Sequence, residues 1–280
     1  MPPLVWMISI YFLVLLLALW RQATPPSQSP SLTQVGSKPW TLHHALMLAG
    51  ILLMVRAAIL LVEAGFVLSI TKVPDLKKLP PATQHKIFLS GIIASAIFGL
   101  AALGIVTSML RRLKADLVEC FGLKKMHLIG AVFVGVALLF ASWPWLQTLA
   151  IFAKLTLEDW GFKTPPQDIV ELLQGNPPAA LWWMFAVVGL LIAPVFEETV
   201  FRGIFYPAVK QRCGQTISAL IVSALFAILH MNTVALAPLF CMSLALIVAY
   251  EATGSLVVPI VFHSGFNAVT FFALLLGGEP

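Results

Sequence analysis

Long apolar stretches, each about the length of a bilayer crossing, constrain this chain more than any other feature. Hydrophobic residues make up 60% of its 280 residues and charged residues only 10%. A soluble domain carries about 25% charged residues, so this chain has too little charge to cover a water-exposed surface of its size. We therefore expect lipid to surround much of the protein and predict an all-α fold, a polytopic transmembrane helical bundle.

A helix needs roughly 20 apolar residues to cross a bilayer, and about eight segments meet this criterion. The predicted spans are Leu4–Trp20, His44–Ile70, Ile87–Leu110, Leu128–Phe152, Leu181–Phe205, Thr216–His230, Val234–Tyr250 and Leu256–Leu276. Pro144 interrupts the fourth, which could therefore be one span followed by a short interfacial helix. No basic residue precedes the first run and no small-residue cleavage site follows it, so we interpret it as a retained anchor helix.

The order of apolar and polar segments predicts three regions. Residues 1–157 hold N-terminal transmembrane helices and loops without an assigned role, and residues 158–180 form an extramembrane loop. Within that loop, the apolar spacing of Ile169–Leu173 predicts a short helix lying on the surface. Residues 181–276 form the C-terminal transmembrane helices. The chain has no internal repeat of the kind that builds transporters.

The net charge of +5 does not indicate a nucleic-acid partner, because Lys and Arg lie in the short gaps between apolar runs. There they set topology and meet the anionic lipid of the bilayer. The loops after the first, third, fifth and seventh spans hold nine of them against six in the alternate loops, which predicts that the former are cytoplasmic. The expected protein is thus a multi-pass integral membrane protein with an external N-terminus.

Ionisable residues inside apolar helices cost roughly 2.5–3.5 kcal/mol each on insertion scales, so they mark candidate functional positions. In the fifth span Glu198 and Arg202 are four residues apart, share a helix face and can form an ion pair. Glu197 lies about 100° further round the helix. It would be freer and desolvated, which suits a general base or acid. A purely structural Glu–Arg pair is the alternative.

Two later spans each carry a histidine. If the chain turns at Gly214, Glu197 lies seventeen residues before the turn and His230 sixteen after it. An antiparallel hairpin would place both at one depth, roughly 24 Å from the turn. His263 and Asn267 are four residues apart in the eighth span and face the same way. Asn267 could hydrogen-bond a carbonyl or an oxyanion, or simply join two helices.

Three other ionisable residues have simpler interpretations. Arg56 and Glu63 are seven residues apart in the second span, which is long for a direct pair and favours a structural role. Glu251 is close to Gly254 and is expected at the water interface.

One shared site explains the polar residues of the three C-terminal segments more economically than separate structural roles do. The motifs Glu197-Glu198-x-x-x-Arg202, Phe226-x-x-x-His230 and His263-x-x-x-Asn267 occur in this order on separate apolar segments. They resemble the motifs of the CAAX-protease and bacteriocin-processing family (CPBP) of intramembrane peptidases. The resemblance extends from Ala193 to Asn267 and implies that residues 181–276 form a peptidase core.

The resemblance also implies a role for each motif residue. Glu197 and His230 would activate a water molecule, while His263 and Asn267 would stabilise the tetrahedral oxyanion. The pair of Glu198 and Arg202 would support the site. The implied enzyme is an intramembrane metallo- or glutamate endopeptidase that cleaves a membrane-anchored or lipid-modified protein or peptide.

The residues leave the question of a metal open. Two histidines and a carboxylate suffice for a zinc site with one open position, so His230 and His263 are candidate metal ligands and zinc is the candidate cofactor. Without zinc, the Glu197 carboxylate must deprotonate the water itself. The chain has no HExxH helix and no CxxC pair among its three cysteines.

Two other functions remain open. A non-catalytic membrane scaffold or immunity protein of the same fold would not need the Glu197 carboxylate. A proton-coupled transporter would use the buried Glu and His residues as a relay, but the missing repeat disfavours it.

Overall fold

The computed structural model describes residues 35–71, 78–164 and 177–276, together with Val170, Leu173 and Gly175. Every secondary-structure element in these ranges is a helix, which confirms the predicted fold class. The elements are α1 (Leu42–Ile70), α2 (Pro81–Arg112), α3 (Leu117–Cys120), α4 (Leu128–Asp159), α5 (Ala179–Val187), a π-helical segment (Val188–Ile192), α6 (Ala193–Glu198), a second π-helical segment (Thr199–Phe205), α7 (Tyr206–Leu229), α8 (Leu236–Thr253) and α9 (Val257–Leu275).

Six helical stretches of the described residues are long and apolar enough to cross a membrane. One of them, Ala179–Leu229, covers two predicted spans and is broken at Gly214, where φ is 75° and ψ is 175°. Glycine reaches a positive φ without steric cost, so the break lies where the sequence predicted a turn. The first predicted span, Leu4–Trp20, lies outside the described residues, as does most of the short helix predicted at Ile169–Leu173. The chain is thus a multi-pass membrane protein.

The fourth span is one continuous helix and not a span followed by an interfacial helix. Helix α4 passes through Pro144 and ends at Asp159, seven residues beyond the predicted end at Phe152. Buried Ser142 and Leu146 pack on either side of the proline. Transmembrane helices tolerate such a proline because neighbouring helices hold the backbone in place.

Helices α4 and α9 approach closely at two glycines. A Cβ atom at Gly135 would lie 2.8 Å from the Val261 side chain, and one at Gly265 would lie 2.7 Å from Leu139. Small residues allow this close van der Waals packing, which is a main source of helix association in lipid. The contact fixes the position of α9 and therefore of His263, two residues before Gly265.

The apolar surface divides into a lipid-facing part and a core. On α1, Leu61 and Val62 are each 75% exposed, as expected for side chains that meet acyl chains. By contrast, Tyr206, Phe226 and Phe262 are fully buried among α4, α7, α8, α9 and the Thr199–Phe205 segment. This core surrounds the inner side of the candidate site.

Candidate active site

Glu197 and Glu198 lie at the end of the short helix α6, between two π-helical segments. Val188–Ile192 precedes α6, and Thr199–Phe205 follows it. A π-helical turn closes i→i+5 hydrogen bonds and so shifts the faces on which the following side chains lie; such turns are frequent at functional sites. The helical spacing used on the sequence did not predict them.

The predicted ion pair between Glu198 and Arg202 is confirmed. Arg202 Nη1 donates to Glu198 Oε1 at 2.8 Å, and both side chains are fully buried. Arg202 Nη2 also donates to Ser243 Oγ at 2.8 Å and to the Ser243 carbonyl at 3.3 Å. The guanidinium carbon lies 4.5 Å from the centre of the Phe226 ring, a cation–π contact. These contacts compensate a charge pair that would otherwise be costly to bury.

His263 joins this pair on its other side. Its Nδ1 lies 2.8 Å from Glu198 Oε1, the same oxygen that Arg202 binds. A carboxylate accepts, so Nδ1 of His263 carries the proton and donates it. The ring is thereby oriented with Nε2 facing away from Glu198, toward Glu197.

Glu197 lies between the two histidines; the hairpin count predicted that it would lie near one of them, His230. Its Oε2 is 3.8 Å from His230 Nε2 and 3.8 Å from His263 Nε2. Within the described part of the chain, this oxygen is buried and has no hydrogen-bond partner. Separations of this length are too long for a direct hydrogen bond and suit one shared water molecule.

His230 is oriented by its own helix. It follows the last residue of α7, and its Nδ1 donates to the Phe226 carbonyl at 2.7 Å. A carbonyl can only accept, so Nδ1 carries a proton, and Nε2 faces Glu197. The imidazole also packs on the Phe226 ring, with centroids 4.6 Å apart.

Exposure decreases steadily from one side of the cluster to the other. The side chain of His230 is 33% exposed and that of Glu197 is 19% exposed. His263 is 4% exposed, and Glu198 and Arg202 are 0% exposed. His230 and Glu197 can therefore contact a substrate, whereas the buried pair of Glu198 and Arg202 can only support the residues that do.

Asn267 points to a different partner. Its Nδ2 donates to the Gly189 carbonyl in the Val188–Ile192 segment at 2.8 Å. One of its two amide hydrogens is therefore used to join α9 to the chain before α6. This bond joins two helical elements, which is the role that the sequence analysis left open as an alternative to an oxyanion contact.

The geometry does not form a closed metal site. Among the described residues, no three His, Cys, Asp or Glu side chains are grouped closely enough to hold a metal ion. Glu197 Oε2 lies 3.8 Å from His230 Nε2 and 3.8 Å from His263 Nε2. Zinc bound by His230 and His263 stays a prediction.

Sequence reasoning missed two contributors to the site and misplaced a third residue. Ser243 was missed because a single Ser in an apolar helix carries no local signal. Phe226 was named in the motif with His230, but the role of its backbone carbonyl was not predicted. Glu251 is not at the water interface but fully buried, where it accepts from Tyr206 Oη at 2.6 Å and from Lys210 Nζ. A lysine one turn after Tyr206 was the available signal for this pairing.

Comparison with known proteins agrees with the motifs. The family model for type II CAAX prenyl endopeptidases, Rce1-like, matches residues 178–269, a segment that contains all six motif residues. An Escherichia coli protein described as an uncharacterized 24.3 kDa protein is 37% identical over 92 residues, which span 31% of this chain and 41% of that relative. No solved structure matches the chain. The resemblance is thereby confirmed for residues 178–269, which are similar to the Rce1-like type II CAAX prenyl endopeptidases.

Proposed function

We propose that this protein is an intramembrane endopeptidase in which Glu197 and His230 activate water for attack on a peptide bond. The observation that carries this proposal is the position of Glu197 Oε2, equidistant at 3.8 Å from the Nε2 atoms of His230 and His263. A water molecule held there would touch a carboxylate base and two oriented imidazoles at once. The match of residues 178–269 to a peptidase family adds support.

The proposed reaction begins with water bound between Glu197 and His230. The carboxylate takes one proton as the water oxygen attacks the carbonyl carbon of the scissile bond, while the Nε2 lone pair of His230 orients the water by accepting a hydrogen bond. The attack forms a tetrahedral intermediate with negative charge on the former carbonyl oxygen. Glu197 then transfers its proton to the amide nitrogen, and the carbon–nitrogen bond breaks to give a carboxylic acid and an amine, between which a proton then passes to leave a carboxylate and an ammonium group.

His263 is suited to stabilise the oxyanion. Its Nδ1–H is held by the Glu198 carboxylate, an orientation that also stabilises the ring when Nε2 carries a proton. A donor of this kind is often worth about 3–4 kcal/mol in the transition state. The family resemblance adds Asn267, whose second amide hydrogen is the one that would serve, because the first bonds Gly189.

The substrate we propose is a membrane-anchored or lipid-modified protein or peptide. The site lies within helices whose outer faces are apolar, so a substrate that is already in the bilayer reaches it by lateral diffusion. Prenylated proteins are one such class, and other lipid-bearing or membrane-inserted peptides fit the same argument.

The test is cleavage of lipid-anchored reporter peptides by the purified protein in liposomes. Replacing Glu197 by Gln keeps the shape but removes the base, so we expect turnover to fall by at least about 10²-fold. The matched control is Glu119→Gln, which removes an exposed carboxylate on α3, outside the site. Wild-type cleavage rates in the Glu197→Gln protein would overturn the proposal.

The same variant separates the alternatives. A scaffold or immunity protein would keep its biological activity without the Glu197 carboxylate, and a proton-coupled transporter would show substrate-dependent flux in liposomes without cleavage. We also propose that the N-terminus is external, on the basis of the distribution of Lys and Arg.

A further inference from the structure

The two π-helical segments around Glu197 and Glu198 are each held by a side chain from another element. Asn267 donates to the Gly189 carbonyl of the first segment at 2.8 Å. Trp40 Nε1 donates to the Ile204 carbonyl of the second segment at 3.1 Å. Helices are disturbed where a side chain inserts into the backbone ladder, so a donor at such a carbonyl can determine whether the wider turn persists.

Trp40 belongs to a short strap, residues 35–41, that precedes α1 and crosses the first turns of α7. The Trp40 side chain is fully buried. Lys210 Nζ donates to the Val35 carbonyl at 2.9 Å, and Gln211 Nε2 donates to the Trp40 carbonyl at 3.2 Å. Lys210 is itself paired with buried Glu251, so the strap is fastened to both α7 and α8.

The Trp40 ring and the Thr199–Phe205 segment also pack closely against Phe121. The Trp40 and Phe121 rings lie 6.3 Å apart. A Cβ atom at Gly203, next to Ile204, would come within 2.8 Å of the Phe121 ring. The Thr199–Phe205 segment therefore has little room to move against the Trp40–Phe121 pair.

The Trp40 contact is two residues away from a side chain of the candidate site. Ile204 follows Arg202 by two positions, and Arg202 holds Glu198, which in turn orients His263. We propose that Trp40 is a positioning residue, which keeps the Thr199–Phe205 segment π-helical and thereby sets where the Glu198 carboxylate and the His263 ring lie. The strap lies outside the segment that matches the peptidase family, so this role belongs to the N-terminal half of the chain. Its effect on turnover rests on the proposed function, whereas the geometric role does not.

The test is Trp40→Phe, which keeps an aromatic ring in the pocket and removes the indole N–H. Trp160→Phe is the matched control, because Trp160 is 70% exposed at the end of α4. Hydrogen–deuterium exchange of the purified proteins measures this. We expect the backbone amides of residues 199–205 to exchange about tenfold faster in Trp40→Phe than in the wild type, and at the wild-type rate in Trp160→Phe. In the cleavage assay, kcat should fall about tenfold with KM unchanged, because buried Trp40 cannot touch the substrate.

The two proposals can fail separately. Equal protection of residues 199–205 in the wild type and Trp40→Phe would overturn the positioning role, whatever the cleavage assay shows. If the wild type cleaves no reporter, the proposed function fails while the exchange measurement still decides the role of Trp40. Should Trp40→Phe fail to accumulate, Gln211→Ala removes the bond to the Trp40 carbonyl and should raise exchange in the same segment; unchanged exchange there would count against the proposal.

Discussion

Replacing Arg202 with Met should destabilise the protein strongly, and a second change should rescue its stability but not its activity. Arg202 is fully buried and gives hydrogen bonds to Glu198 and Ser243. Arg202→Met removes them and leaves the Glu198 carboxylate buried without its cation. Breaking a buried ion pair from one side costs about 3–5 kcal/mol, and we expect the free energy of unfolding to fall by this amount.

Adding Glu198→Gln to the same protein removes the uncompensated charge. Replacement of a whole buried pair by uncharged groups is often close to neutral, so the double variant should regain about 2–3 kcal/mol over Arg202→Met. Unfolding in detergent micelles, followed for both single variants and the double, gives this coupling energy. The double variant should nevertheless cleave slowly, because His263 has lost the carboxylate that orients it. A double variant no more stable than Arg202→Met would refute the reasoning.

Three further outcomes are expected. A membrane-impermeant thiol reagent should label exposed Cys213 only when it is added on the cytoplasmic side. It should react with Cys213 faster than with Cys120, because burial raises the pKa of the Cys120 thiol. Labelling of Cys213 from outside would show that the predicted orientation is inverted. If the Glu197 carboxylate activates water alone, the rate of reporter cleavage should stay unchanged when metal ions are removed by a chelator and when zinc is then added back. A rate that falls on chelation and recovers with zinc would indicate that the histidines ligate a metal. Gly135→Ala should lower the free energy of unfolding by about 1–3 kcal/mol, because the new methyl group would overpack against Val261. Gly50→Ala should not lower it, because no atom lies within 4 Å of the new methyl group. Equal effects of the two substitutions would argue against the close contact of α4 and α9.

The spacing of residues along the sequence predicted the contacts that depend only on the geometry of one helix or one hairpin. Residues four apart share a helix face, so the Glu198–Arg202 pair could be predicted without knowing any other helix. Counting residues from Gly214 likewise placed Glu197 beside His230. In an antiparallel hairpin of two helices, residues equally far from the turn along the chain lie at the same depth. The count succeeded although the hairpin contains a π-helical segment and Pro207.

Contacts between distant parts of the chain could not be predicted in this way. The two π-helical segments have no spacing signal, and the bonds from Asn267 to Gly189 and from Trp40 to Ile204 link residues 78 and 164 positions apart. Glu251 was misplaced for the same reason: its nearness to Gly254 suggested water, but burial depends on Tyr206 and Lys210 of another helix. The catalytic roles of the motif residues stay predictions until the variants are assayed.

The gradient of exposure across the polar cluster has a consequence for inhibitors. A small molecule can reach the partly exposed side chains of His230 and Glu197, but it cannot touch the fully buried Arg202 guanidinium. An effective warhead would therefore need to be compact and polar at its tip, with an acyl tail trailing into the bilayer. On the proposed function, resistance mutations should then appear at partly exposed residues and not in the Glu198–Arg202 pair, because breaking that pair should destabilise the protein by about 3–5 kcal/mol.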